Sequence, residues 1–480
     1  MEVSCEILKK CGGLPLAIIT VASILANQPT KIKEQWEYIK NSLSVELAED
    51  STLEDMMHIL DLSYKNLPRH LKACFLYLGI YPEDWEIRRN ELVRQWVAGG
   101  FVGNSPGRDV WDIANSYFNE LINRSMIQPA YDDLNVEVLS CKLHDMMRDL
   151  IVRRCNEDNF LRVLHDLQDV AQVQDKVRRL SLDLSFRNDG TMPITTSGHL
   201  SKVRSLAIFG GSQHIPSFLE FKFIRVLFLD FSKLVTRIDL TSITQLSQLR
   251  YLKAECSIWF TGFPKLSTIL PSQICRVRYL ETLELPWTSS CSIPKDIIYL
   301  PRLSHLVLPL GTRLPDGIGK LKSLRTLRGF SLSKSSFENT KDISELTNLE
   351  ELALIISREV YWNTMLVCGD DDDTSESIWM AALSSCLEKL SNLKRLSMES
   401  YSVTLCGDAL SSFSPSFHKL EDLDLSGWAF SRVPIWIGDL QNLSMLELTS
   451  KSTCREDVGI IGMLPSLVRG YKAFRKKLLR

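Results

Sequence analysis

The side chains with the strongest claim to chemistry are His144 and Asp145, with Asp149 one turn on. On a helix the two carboxylates share a face, and His144 lies about 100° round from Asp145. Imidazole and carboxylate are metal-ligand types, but a metal site needs more donors, and no partner pair stands elsewhere in the sequence. Asp145 as a helix-start cap is the better reading. The run Asp370 to Asp373, inside CGDDDDTSES (Cys368 to Ser377), lacks the alternating spacing, glycine and closing glutamate of a calcium loop. It reads as a solvated acidic loop. The sequence holds no G-x-x-x-x-G-K-[ST] to cradle phosphates, no G-x-S-x-G elbow, no H-E-x-x-H and no zinc-spaced Cys/His set. No metal and no catalytic residue is expected, and the chain is not read as an enzyme. The 12 cysteines form no C-x-x-C pair and suit buried thiols in a reducing compartment.

The elements that would carry these residues fall into two kinds. Over the C-terminal part a ladder repeats, with apolar residues at positions 1, 4 and 6. It begins at Val177, Val203, Ile224, Leu249, Leu280, Leu303, Leu324, Leu349, Leu393, Leu420 and Leu443, with a worn copy at Leu464. The steps are 26, 21, 25, 31, 23, 21, 25, 44, 27, 23 and 21 residues, mostly within the range of leucine-rich repeats. A second signature follows in the return segments: LPSQI at Leu270, IPKDI at Ile293, LPDGI at Leu314 and VPIWI at Val433. There proline opens an irregular turn and the later isoleucine tucks into the core. The fold class is α/β: a leucine-rich-repeat solenoid, or horseshoe, preceded by a helical bundle and a winged-helix domain. Asparagine is largely missing from the position after the ladder, where Ser232, Thr288 and Trp428 stand, so an irregular, modestly curved array is expected.

Ahead of the ladder the patterning is helical. Helices are predicted over Val3 to Lys10, from Pro15 on, over 31 to 47, Leu53 to Leu62, Pro68 to Leu78, 88 to 99 and 110 to 124. Two strands, Ser125 to Ala130 and Val136 to Leu143, flank the turn Tyr131 to Asn135 and lead into a helix from His144 to Arg154. Helices followed by a hairpin suggest a winged helix. From Ile80 to Cys155 there are 9 Lys and Arg against 12 Asp and Glu, a net charge of −3. A DNA reader needs a basic face, so a protein-packing role is expected and nucleic acid is not. The domains are therefore set at 1–79 (helical subdomain), 80–155 (winged helix), 156–176 (linker) and 177–480 (repeats).

The whole chain carries 56 Lys and Arg against 58 Asp and Glu, so no general pull toward polyanions exists. No apolar window of 18 residues or more and no signal-peptide core is present, so no stable membrane insertion is expected. A cytoplasmic protein is the default, with nuclear or plasma-membrane-peripheral placement as the alternatives. The basic tail YKAFRKKLLR reads first as a polar cap on the last repeat.

Three stretches carry a resemblance. CGGLPLA (Cys11 to Ala17) resembles the GLPL motif of the nucleotide-binding (NB-ARC) module of plant intracellular immune receptors, the coiled-coil class of nucleotide-binding leucine-rich-repeat disease resistance proteins. LSYKNLPRHLKACFLYLGIYPED (Leu62 to Asp84), continued by IRRNELVRQWVAGGFV, resembles the block between that module's helical and winged-helix subdomains. KLHDMMRDL (Lys142 to Leu150) resembles its MHD motif, with Leu143 in place of the methionine. In order and in content the resemblance covers essentially the whole chain. It implies that Pro15 lies against an adenine and that His144 reaches ADP phosphates. Gly13, Leu14, Leu16, Leu143 and Asp145 belong to the same switch motifs. The family's phosphate loop, magnesium-binding strand, arginine sensor and signalling coiled coil precede the GLPL motif, and only 12 residues do so here. An N-terminally truncated receptor is thus expected. ADP or ATP serves full-length relatives, whereas this chain alone is expected to need no cofactor and to bind nucleotide weakly or not at all.

Positions 3 and 5 of each rung should point out of the concave sheet. Val226, Phe228 and Tyr251 give an apolar-aromatic cluster, and Asp422, Asp424 and Glu447 an acidic end. By the resemblance, the first would pack inward against the receptor's own nucleotide-binding module. The second would meet a pathogen effector or a guarded host protein in the defence response. The alternative is a non-signalling repeat scaffold or decoy that binds a host protein.

Overall fold

The computed structural model describes residues 2–27, 33–42, 53–130, 138–166, 169, 177–185, 199–210, 218, 221–231, 237–255, 267–285, 290–331, 334–357, 382–401, 405–411, 413, 415–450 and 454–473. The chain divides into two units, the first holding Met1–Phe186, Ile194–Phe209 and Ile224–Val226 and the second essentially the rest. The turn Tyr131 to Asn135, the acidic run in Cys368 to Ser377, Ser232, Thr288 and the tail from Phe474 on lie outside the described residues.

In the first unit, helices α1 (Glu2–Lys10), α2 (Pro15–Ala26), α3 (Lys33–Ser42), α4 (Leu53–Asn66) and α5 (Arg69–Tyr77) follow the predicted order. Gly12 and Gly13, at φ 59° and 72°, turn the chain from α1 into α2 in the left-handed region that glycine tolerates. Pro15 then opens α2, where its missing N–H costs nothing. Leu71, Cys74, Phe75, Leu76 and Tyr77 of α5 are all buried. Helix α6 (Arg89–Gly99) stops at Gly100, in left-handed conformation at φ 77°. Helix α7 (Val110–Asn123) is capped by Asp109, whose side chain accepts from the Trp111 amide at 2.7 Å.

The hairpin is shorter than predicted. Strands β1 (Ile87–Arg88), β2 (Gln128–Ala130) and β3 (Ser140–Lys142) form an antiparallel sheet in the order β1-β3-β2. Two residues of β1 are too few for a period-2 pattern, so the sequence did not expose this strand. Helix α8 (Asp145–Glu157) follows, tied to α4 by Arg154, whose Nε donates to Asp61 Oδ1 at 2.8 Å.

The expected linker 156–176 is not bare. Strand β4 (Arg162–Leu164) pairs in parallel with β5 (Arg179–Asp183), which pairs with β6 (Ser205–Phe209). These strands belong to the same unit as the winged helix rather than to the rest of the array. The reason is a set of specific contacts. Ser181 Oγ donates to the Ile80 carbonyl at 2.7 Å. The Phe209 ring meets Trp85 at 5.0 Å and Tyr81 at 6.2 Å. The Arg179 guanidinium lies 4.7 Å from the Phe101 ring centre and 3.9 Å from that of Phe160.

In the second unit, parallel strands run in chain order through Tyr251–Glu255, Thr282–Glu284, His305–Thr312, Thr326–Ser331, Glu351–Ser357, Arg395–Tyr401, Asp422–Phe430, Met445–Ser450 and Arg469–Ala473. Their register lines up Leu252, Leu283, Leu306, Leu327, Leu352, Leu396, Leu423 and Leu446, the fourth position of the predicted ladder. All eight are buried. The last rung corrects the sequence frame. Gly470 pairs with Leu446, so this rung begins at Leu467, 24 residues after Leu443, and not at Leu464. Glycine and lysine at its fourth and sixth positions hid it.

Proline-led return segments become 3-10 turns at Ile274–Arg276, Lys295–Tyr299, Ile318–Lys320 and Ile435–Asp439. Ile274, Ile297, Ile318 and Ile437 are each fully buried. A second, three-stranded parallel sheet of Arg237–Asp239, Ser267–Ile269 and Ser290–Ser292 was not expected. Nor was the polar ladder. Asparagine sits just before the strand, not after it. Asn348, Asn392 and Asn442 donate to the carbonyls of Lys322, Thr347 and His418 in the preceding repeats, at 2.8, 2.9 and 2.6 Å. Ser323 and Ser466 do the same toward Pro301 and Gln441 at 2.9 and 2.8 Å. Turn carbonyls are thereby satisfied repeat by repeat. Trp428, at the position read as lacking this function, donates its indole N–H to the Met398 carbonyl at 3.1 Å.

Candidate functional site

The switch-motif residues sit at two helix starts of the first unit. Leu14 is the N-cap of α2, and Pro15 beside it is exposed. Gly13 is exposed, and Leu14 and Leu16 are half-buried. At α8 the sequence reading is corrected: His144, not Asp145, caps the helix, and its Nδ1 accepts from the Met146 amide at 3.3 Å. Imidazole reaches back as an acceptor where a carboxylate was expected, while Asp145 is the first helical residue and points to solvent. Its negative charge still favours the helix start. A ring that accepts at Nδ1 carries its proton on Nε2, so His144 presents one N–H donor away from its own helix. Leu143 beside it is half-buried. Among the described residues, no hydrogen bond or ion pair joins the GLPL turn to His144 or Asp145. The exposed Pro15 and the His144 imidazole stand at two separate helix starts.

The concave strip divides along its length. Val226, Phe228 and Tyr251 are buried, at 0 %, 1 % and 0 % exposure, and do not form a free apolar patch. Their neighbours are polar and equally buried. Lys253 Nζ lies 4.9 Å from the Phe228 ring centre and 2.5 Å from Glu255 Oε1. The Tyr251 hydroxyl donates to Glu284 Oε2 at 3.2 Å. Buried charges held in this way need their partners in place. The sequence missed this network because Lys253 and Glu284 read as solvated residues in an alternating strand.

Further along, the strip opens. Arg328 is exposed and pairs with Glu351 at 3.2 Å. Asp422, Asp424 and Glu447 are half-buried. Register places Asp422 between Arg395 and Met445, and Asp424 between Ser397 and Glu447. Asp424 Oδ2 accepts from Ser397 Oγ at 3.1 Å, and its Oδ1 from the Ser426 amide at 2.9 Å. The sequence did not single out Arg395 and Ser397, although they occupy the same ladder positions one repeat earlier. Burial pushes the Asp422 carboxyl up to about 6; Arg395 opposes the rise, and Asp424, Glu447 and Glu351 add to it. The acidic end is therefore a set of like charges crowded around Asp422, with Arg395 among its neighbours.

This parallel ladder with 3-10 returns defines a leucine-rich-repeat protein. The family model of the leucine-rich repeat region matches residues 202–469, more than half of the chain, and that of the disease resistance protein winged helix domain matches residues 80–151. Disease resistance protein RGA5 of Oryza sativa subsp. japonica is 38 % identical over 474 residues, covering 97 % of this chain and 40 % of that protein. Disease resistance protein Pik-2 of the same rice is 32 % identical, covering 96 % of this chain and 46 % of that protein. The chain belongs to the leucine-rich-repeat disease resistance proteins of plants, and it spans less than half the length of these two curated relatives. Among solved structures, the plant peptide hormone receptor RGFR1 in complex with RGF2 is 17 % identical, covering 62 % of this chain and 52 % of that one at a TM-score of 0.33. Among the described residues, no helix is long and apolar enough to cross a membrane.

Proposed function

We propose that this chain acts in pathogen recognition in the plant defence response, in the cytoplasm, binding an effector or a guarded host protein through the open half of its concave strip. The observation that carries the reading is the half-exposed acidic end, Asp422, Asp424 and Glu447, on the repeat sheet of a disease resistance protein. Its chemistry favours a basic partner surface. The test is co-precipitation from infected leaf extract with the chain and with Asp424→Lys plus Glu447→Lys. Loss of a pathogen or host protein only with the double variant is expected. An unchanged set of captured proteins would sink the reading.

The nucleotide switch is proposed in a limited form. Pro15 and His144 would flank a nucleotide whose phosphates are held by other parts of a longer receptor, with Asp145 supporting the same helix start. This chain alone then binds ADP weakly or not at all. Isothermal calorimetry checks it, and micromolar ADP binding would overturn it. A non-signalling scaffold or decoy is the second reading.

A further inference from the structure

The turns that lead into three successive strands of the second unit form a cationic patch separate from the concave strip. Counting back from the ladder residues Leu280, Leu303 and Leu324, the fourth residue before is Arg276, Tyr299 or Lys320. The residue immediately before is Tyr279, Arg302 or Ser323. Because the strands are in register, equivalent positions stack into columns. In one column the Arg302 guanidinium lies 4.8 Å from the Tyr279 ring centre; in the other Lys320 Nζ lies 5.3 Å from that of Tyr299. Each tyrosine thus stands beside a cation, and its ring quadrupole offsets some of the like-charge repulsion.

The charge in this segment is one-sided. All seven Lys and Arg between residues 271 and 322 are exposed. Of the four carboxylates of the same segment, Glu281 is near enough to Arg302 for their charges to interact, and the others are buried or have other partners. Glu284 is buried, and Glu281 is largely buried beside Arg250 at 3.6 Å. Asp296 accepts from the Cys275 amide at 3.1 Å, and Asp316 accepts from Ser336 Oγ at 2.9 Å. Among the described residues, no carboxylate lies within ion-pair distance of Arg276, Arg302 or Lys320. The patch has edges. The preceding repeat puts neutral Gln245 and Gln248 at the two column positions, and the following one puts Glu345, which pairs with Lys322 at 3.0 Å.

We propose that this patch is a second docking surface of the array and that it takes a short acidic stretch of a partner protein. Three repeats at ~4.8 Å per strand give a span of about 10 Å between the outer repeats. That suits a few carboxylates, and at the border the Glu345–Lys322 pair adds no net charge to draw in a broader anionic surface such as a duplex or a membrane. The surface does not depend on the concave reading, because none of its residues lies on that strip.

The test uses the full chain and a fluorescein-labelled decaglutamate peptide in an anisotropy titration at about 0.1 M salt. R276E/R302E/K320E should weaken binding at least tenfold. A control that reverses three other exposed cations, R69E/R108E/K389E, should change it less than twofold. Thermal melts confirm that both triples are folded. No peptide binding by the unaltered chain, or equal losses in both triples, overturns the proposal. Oligothymidylate and vesicles containing phosphatidylserine are run alongside. If either binds more tightly than the peptide and is lost in the same patch variant, the acidic-protein assignment is overturned.

Discussion

Asp422→Asn separates two views of the acidic end. In one, Arg395 stabilises the carboxylate, and removing the charge destabilises the array. In the other, burial and three neighbouring carboxylates outweigh Arg395, and removing the charge relieves the fold. The structure supports the second, since burial pushes the Asp422 carboxyl from its ordinary 3.8 up to about 6. At ~1.4 kcal/mol per pH unit, a displacement of that size corresponds to roughly 3 kcal/mol. Partial exposure screens the site and brings the expected effect down to about 1–2 kcal/mol. The sign follows from proton uptake. The folded chain binds this proton at higher pH than the unfolded chain, so stability falls as pH rises from about 4 to about 6, and the penalty is complete above 6. Asp422→Asn should therefore raise the urea midpoint at pH 7.5 and flatten the stability change between pH 4 and 6. Hydrogen exchange of the Asp422–Phe430 strand reports the same change locally and does not depend on all-or-none unfolding of a two-unit chain. A variant less stable than the parent at pH 7.5 would refute the reasoning and return the site to Arg395. A basic partner docking on this end, as proposed above, should bind more tightly above pH 6 than below it.

Other outcomes follow from the packing. Gly329→Ala should cost about 3 kcal/mol or more, read as a lower urea midpoint, because Gly329 sits at φ +88° with a would-be Cβ driven into the Leu308 carbonyl. Gly103→Ala, which meets nothing within 4 Å, is the control, and equal effects would refute the argument. Arg179→Met should destabilise the first unit by about 2–4 kcal/mol, from two desolvated cation–π contacts and a hydrogen bond to the Phe160 carbonyl. Faster exchange in Arg162–Leu164 checks it, and Arg179→Lys should recover less than half because ammonium lacks the planar stacking face.

The repeat fold was legible because a buried leucine every rung is a strong, periodic signal. Leu252 through Leu446 fell into register where the ladder put them. Helix starts were legible at Pro15, where proline marked one, and at residue 110 from the helical pattern. His144 as the cap of α8 was not, because imidazole is an uncommon cap and its neighbour is the commoner one. Other features depended on which residues meet across the sequence. The unit boundary fell beyond β6 because Trp85, Tyr81 and Ile80 hold the first rungs, contacts spanning some hundred residues that no local pattern encodes. The rung at Leu467 and the asparagine column before the strands emerged only from register. So did the contrast between Phe228 and Asp424. Both are position-5 residues of the same ladder, and the strand pattern by itself points both out of the sheet. Tertiary burial makes one part of a closed charged network and leaves the other half-open to a partner. Sequence alone determined the repeat, the order of modules and the family. Three-dimensional packing decided which of the repeated positions are surface.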